Sequence, residues 1–216
     1  MAEQSLPEKV RDFLNERHRP YEPYEVKQCP LPCEEWGVCL EEIDMSVWKD
    51  EAGKIHIMND AHRPKDVLLW MDDHVVVGSR RPTSKESKKR MWEKREEIVG
   101  EVLECIEKKK WDERFKFKSK KIRKLIAEIM WGDEVAKIVG GRLGVEIEFI
   151  TIAGESAFES VFDSKGMSDE QILREIAKRH EALEEAYHKY MRSLRQSMRG
   201  HGEFKEFYKK VFAEEK

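Results

Sequence analysis

Residues 38–58 read VCLEEIDMSVWKDEAGKIHIM. Val38, Leu40, Ile43, Met45 and Val47 nearly alternate with polar residues, the period-2 pattern of a half-buried strand. Asp50-Glu51-Ala52-Gly53 supplies a turn, and Lys54-Ile55-His56-Ile57-Met58 then alternates again. A second hairpin is expected from Val67-Leu68-Leu69-Trp70-Met71 and His74-Val75-Val76-Val77 about Asp72-Asp73. Two hairpins predict a four-stranded antiparallel sheet, one face of which needs a helix to cover it.

Upstream, Pro7 suits a first helical turn, and Val10, Phe13 and Leu14 recur at helical spacing, so a helix is predicted over about residues 7–17. Pro20, Pro23, Pro30 and Pro32 then forbid regular helix and predict an extended, pinned loop. Downstream, the chemistry changes at Arg81-Pro82-Thr83-Ser84, where Thr83 or Ser84 can cap a helix running to about Lys110. Its apolar stripe is Met91, Trp92, Ile98, Val99, Val102, Leu103 and Ile106. Further helices are predicted over 119–130 and 133–139, with Gly140-Gly141 ending the second, and a strand over 145–152. Ser168 caps a long helix to about Met198, and a short helix carries Phe204, Phe207, Tyr208, Val211 and Phe212. The expected fold class is α+β: a small antiparallel sheet with one helix, followed by a mainly helical half with one further strand. Residues 1–82 would form the α+β module with its Cys/Pro-rich loop, and residues 83–216 a mainly helical domain with a basic first part.

Leu173, His180, Tyr187 and Leu194 recur every seven residues, as do Ile176, Leu183 and Tyr190. This seam predicts burial inside the chain, or a homo-oligomer formed through residues 168–198.

In this chain of 216 residues, 39% are charged and the mean hydropathy is −0.75. No run approaches the ~18 apolar residues of a membrane span, and the N-terminus lacks an apolar signal segment. A cytoplasmic protein with no membrane partner is therefore expected. Amides are few beside abundant Glu and Lys, a thermophile-like composition. Net charge divides unevenly. Residues 1–79 carry 9 Lys+Arg and 17 Asp+Glu; residues 80–124 carry 18 and 9; residues 125–216 carry 14 and 18. The basic centre is the strongest global signal.

That segment supplies the leading candidate site. Arg80, Arg81, Lys85, Lys88, Lys89 and Arg90 crowd one helix start, and Lys120, Lys121, Arg123 and Lys124 another. Lys and Arg neutralise phosphates, and the interleaved Trp92, Trp111, Phe115 and Phe117 could stack on unpaired bases. The functional expectation is a nucleic-acid-associated accessory protein, with no catalysis assigned, that holds the phosphate backbone of DNA or RNA. A helix-turn-helix fails to complete itself, because Gly140-Gly141 and a strand-like run stand where a recognition helix belongs.

Cys29, Cys33 and Cys39 lie within eleven residues. Thiolates in a proline-stiffened loop suit zinc or an iron–sulfur centre, with His56 or His62 as a fourth ligand. A disulfide or plain thiols are the other readings. A metal- or thiol-containing enzyme centred on this loop is therefore an alternative function, and a structural subunit assembling through its C-terminal helices is another. Phosphate-binding loops, G-x-G-x-x-G and G-x-S-x-G elbows are absent. Arg174 to His180 and Arg195 to His201 each show Arg, five residues, then His. This spacing resembles the R-x4-6-H element of helical RNases of the HEPN family, over the C-terminal helices alone. The resemblance implies a cationic Arg and a general-base His, whereas His180 on the heptad seam predicts a core position.

Overall fold

The structure is a computed structural model that describes residues 4–18, 25–27, 34–40, 45–62, 85–152 and 155–212. Its elements are α1 (Leu6–His18), β1 (Glu25–Lys27), β2 (Glu34–Leu40), β3 (Met45–Asp50), β4 (Lys54–His62), α2 (Lys85–Glu107), a 3-10 helix (Trp111–Lys116), α3 (Lys120–Leu143), β5 (Glu148–Ile152), β6 (Glu155–Asp163), α4 (Asp169–Met198) and α5 (Glu203–Phe212). The fold is α+β, as expected. No helix among the described residues is long and apolar enough to cross a membrane. The hairpin expected over 67–77 lies outside the described residues.

Four strands form an antiparallel meander, β1 to β4, and the sheet continues through β6 to β5 in the order β1-β2-β3-β4-β6-β5. The alternating run from Val38 to Val47 is two strands, since β2 ends at Leu40 and β3 begins at Met45, its partner in register. The turn at 51–53 stands where expected. Gly53 has φ +82, which a side chain would strain, and the Lys54 N–H donates to the Asp50 carboxylate at 2.8 Å. The expected further strand is β5, and it is followed by β6, which no prediction above contains. The Gly53 carbonyl accepts from the Ser164 backbone and hydroxyl, tying the end of β6 to the β3–β4 turn.

The chain divides into two compact units, each assembled from separated stretches. The first comprises the described residues within 1–61, 134–150 and 157–191; the second comprises those within 62–133, 151–156 and 192–216. In the first, period-2 alternation buries Val47, Ile55 and Ile57 completely, while Trp48, Asp50 and His56 stay half-buried on the opposite face. Val10 and Leu14 of α1, and Ile176, Leu183 and Tyr190 of α4, are also buried. Tyr190 packs on Phe149 of β5 and Phe158 of β6, with ring centroids 5.4 and 5.8 Å away. Half of the heptad seam is thus spent inside the chain. Each such side chain contributes about 1.5–3 kcal/mol by leaving water.

Capping follows the local sequence. At the start of α1 the Ser5 N–H and hydroxyl both donate to the Glu8 carboxylate at 2.8 Å, one half of a capping box. Ser168 and Gln171 form the corresponding pair on α4. Helix α3 departs from expectation, because it runs unbroken from 120 to 143, through Gly132 and the Gly140-Gly141 pair. It ends at Gly144, whose φ of +63 makes it the terminator. Gly140 serves packing instead: a Cβ there would stand 2.5 Å from the Val145 carbonyl oxygen. One continuous helix also removes the turn that a helix-turn-helix needs.

In the second unit, Val102, Cys105 and Ile106 of α2, Ile122, Leu125, Ile126 and Ile129 of α3, and Phe204 and Phe212 of α5 are buried. Trp131 stands against Phe207 at 5.2 Å and donates its indole N–H to the Ser193 hydroxyl.

Candidate functional site

Two places in the described structure concentrate chemistry, one in each unit. In the first unit an open cleft of about 400 Å³ is lined by Asp50, Lys54, His56, Glu146, Glu148, Glu159, Val161, Phe162 and Asp163. Strand register builds it. Trp48 and His56 are cross-strand partners and stack with ring centroids 4.9 Å apart at 10°. Glu159 and Asp163 share one face of β6, while Glu146 and Glu148 precede and open β5 two residues apart. Arg179 of α4 braces this edge, donating to the Ser160 hydroxyl at 2.7 Å and lying over the Phe162 ring at 5.0 Å. Ser160 in turn donates to the Glu146 carbonyl at 2.6 Å.

His56 sits between two carboxylates, with Nδ1 2.9 Å from Glu159 Oε1 and Nε2 3.2 Å from Asp50 Oδ2. A neutral imidazole has one N–H, so only the imidazolium donates to both. Burial pushes the Asp50 carboxyl up, but donation from the Lys54 backbone, His56 and the Ala52 backbone outweighs it and holds the group below its ordinary value. Five carboxylates against Lys54 and His56 make the cleft strongly acidic.

The metal reading of the sequence falls largely elsewhere. Cys29 and Cys33 lie outside the described residues. Cys39 is on β2, opposite Ser46, and β3 separates it from His56 on β4. Strand spacing puts their Cα atoms about 12 Å apart, a wide gap for one ion with bonds of about 2.0–2.3 Å. Both ring nitrogens of His56 already face carboxylates. Among the described residues no group of three or more His, Cys, Asp or Glu has the arrangement of a metal site.

The second place is the basic segment, which the structure divides. Arg80 and Arg81 lie outside the described residues, and Lys88 and Arg90 are described only as positions on α2. Lys85 and Lys89 are exposed, Lys89 beside Glu93 at 3.8 Å. Between 108 and 116 acids answer the cations. Glu104 takes Lys110 at 2.8 Å and Lys108 at 3.1 Å; Lys116 meets Glu113 at 2.8 Å and Glu101 at 3.7 Å; Lys109 meets Asp133 at 2.9 Å. Hydrogen bonds from Lys110 and Lys108 lower the Glu104 carboxyl to about 2.

Charge stays open at the start of α3. Lys118, Lys120 and Lys121 are exposed, and none has an ion pair among the described residues. The first turn holds no acid, although acids are the usual complement of the helix dipole there. Lys124 leans on Glu128 at 3.5 Å, and Arg123 lies over the Phe212 ring at 5.8 Å. Of the interleaved aromatics, Phe117 is 5% exposed, Phe115 meets Phe212 edge-on beneath the Arg114 guanidinium, Trp111 is half-buried, and the Trp92 side chain lies outside what is described.

The Arg174–His180 spacing does not assemble a catalytic pair, and Arg195 and His201 are both exposed. His180 is wholly buried, whereas Arg174 is exposed and faces Glu170 at 3.6 Å. Sequence reading passed over Glu146, Glu148, Glu159 and Asp163. The signal was present in Val145-Glu146-Ile147-Glu148-Phe149, where alternation puts two acids on one strand face. No protein-family model matches the chain, and no curated protein matches it.

Proposed function

We propose that this chain is a nucleic-acid-associated accessory protein that holds a phosphate backbone at the start of α3. The carrying observation is the trio of exposed, unanswered lysines, Lys118, Lys120 and Lys121, around a helix start whose first turn contains no acid. Lysine charge and free N–H groups both favour anions at such a place. Lys85 and Lys89 add exposed charge on α2. With Phe117 buried and Phe115 packed on Phe212, neither offers a stacking face, and the proposed contact is with backbone.

Affinity should fall with salt, log K losing about 0.9 per unit of log salt for each phosphate neutralised on duplex DNA. Three lysines therefore imply a slope of roughly −3. Lys120→Glu with Lys121→Glu should abolish retention of duplex DNA and RNA and leave thermal stability nearly unchanged, since exposed charges contribute little to folding. Fluorescence anisotropy across a salt series reads both. Absence of wild-type binding at low salt would falsify the reading.

A further inference from the structure

The acidic cleft of the first unit and the basic start of α3 in the second have opposite charge and complementary exposure. At the cleft rim Glu146, Glu148 and Asp163 are exposed, and none has an ion pair with a lysine or arginine side chain among the described residues, although the Lys165 backbone N–H donates to Asp163 at 2.9 Å. The cleft lies on the half-buried face of the sheet, with volume about 400 Å³, within the roughly 300–1,000 Å³ of clefts that accept a ligand. Its lining would draw in primary ammonium groups, and the chain presents three of them together. A net charge of −3 puts little long-range repulsion between copies.

We infer that the cleft is a docking surface for a second copy of this chain, which inserts Lys118, Lys120 and Lys121 between the cleft carboxylates. The contact joins two different patches: a reciprocal exchange closes two copies into a two-fold, isologous pair, whereas a one-way contact is heterologous and builds longer chains. The same lysines serve the proposed backbone site, so self-association and polyanion binding exclude each other. The self-contact itself needs no nucleic acid.

The test is light scattering on the full chain without nucleic acid. At low ionic strength the mass should be at least twice the 25.6 kDa of one chain. It should return to one chain at about 1 M salt, where the screening length is about 3 Å. Glu146→Lys with Glu148→Lys makes the cleft rim basic, and Lys120→Glu with Lys121→Glu makes the helix start acidic. Each double variant alone should be monomeric. An equimolar mixture of the two should associate, because the unaltered cleft of one meets the unaltered lysines of the other. Wild type that is monomeric at low salt overturns the inference. So does association that survives in both variants alone. Because all four positions are exposed, unchanged circular dichroism is expected for each variant, and the wild-type salt series stands without them.

Discussion

At the scale of single residues, environment rather than residue type decides what each acid does. Asp50 and Glu104 are held low by donors, whereas burial pushes the Glu128 carboxyl up, with Lys124 opposing only in part. The sign of the stability effect follows. A carboxyl whose folded value is raised stabilises the fold relative to the unfolded chain in acid, and loses that contribution as pH rises through its folded value. At neutral pH Glu128 is therefore a destabilising group, and Glu128→Gln should raise the thermal midpoint there. The gain should fade below about pH 4, where the unfolded carboxyl is protonated as well. Thermal melts of both proteins across pH 3–8 would show this, and a gain that is constant with pH would sink the account. None of these distinctions is legible in the sequence, where all three are simply acids among many. They depend on which donors and which apolar atoms the fold brings near.

At the scale of elements, the glycines of α3 give the sharpest contrast. Gly140 and Gly141 are neighbours in one helix, yet a Cβ on Gly140 would meet the Val145 carbonyl at 2.5 Å, while a Cβ on Gly141 would meet nothing within 4 Å. Gly140→Ala should destabilise by about 1–3 kcal/mol, as overpacking against backbone does. Gly141→Ala should stabilise by about 0.5–1 kcal/mol, because alanine loses less backbone freedom in a helix. Urea denaturation separates them, and effects of the same sign would refute the packing argument. The sequence pattern predicts the existence of α1, α2, α4 and α5 well, since apolar stripes and the cap at Ser168 are local signals. It stops α3 too early because a glycine pair reads as a terminator when its surroundings are unknown. It misses β6 because Phe158 and Phe162 alternate with Glu159 and Val161, and only neighbouring strands show which face is inward.

At the scale of the whole molecule, the heptad seam on α4 shows the same limit. Its sequence fits a helix packed within the chain and a helix packed on another copy equally well. Leu183 is completely buried, so Leu183→Ala should cost about 2–5 kcal/mol through lost contacts and the cavity left behind. Chemical denaturation monitored by tryptophan fluorescence gives the number; a loss under about 1 kcal/mol would mean the seam is not core. By itself the sequence determined the α+β class, the turn at 51–53, the long capped helix ending at Met198, and the concentration of positive charge between residues 80 and 124. These follow from period, capping and turn chemistry, which act over a few residues. Tertiary structure alone decided the assembly of two units from interleaved stretches, and the joining of β5 and β6 to the meander. It alone converted the basic segment into paired lysines at 108–116 and open ones at 118–121. It also gathered acids from β3, β6 and the approach to β5 around His56. The physical reason is common to all of these: charge neutralisation, burial and strand partnership depend on distances between residues far apart in the chain, and local sequence does not encode such distances one residue at a time.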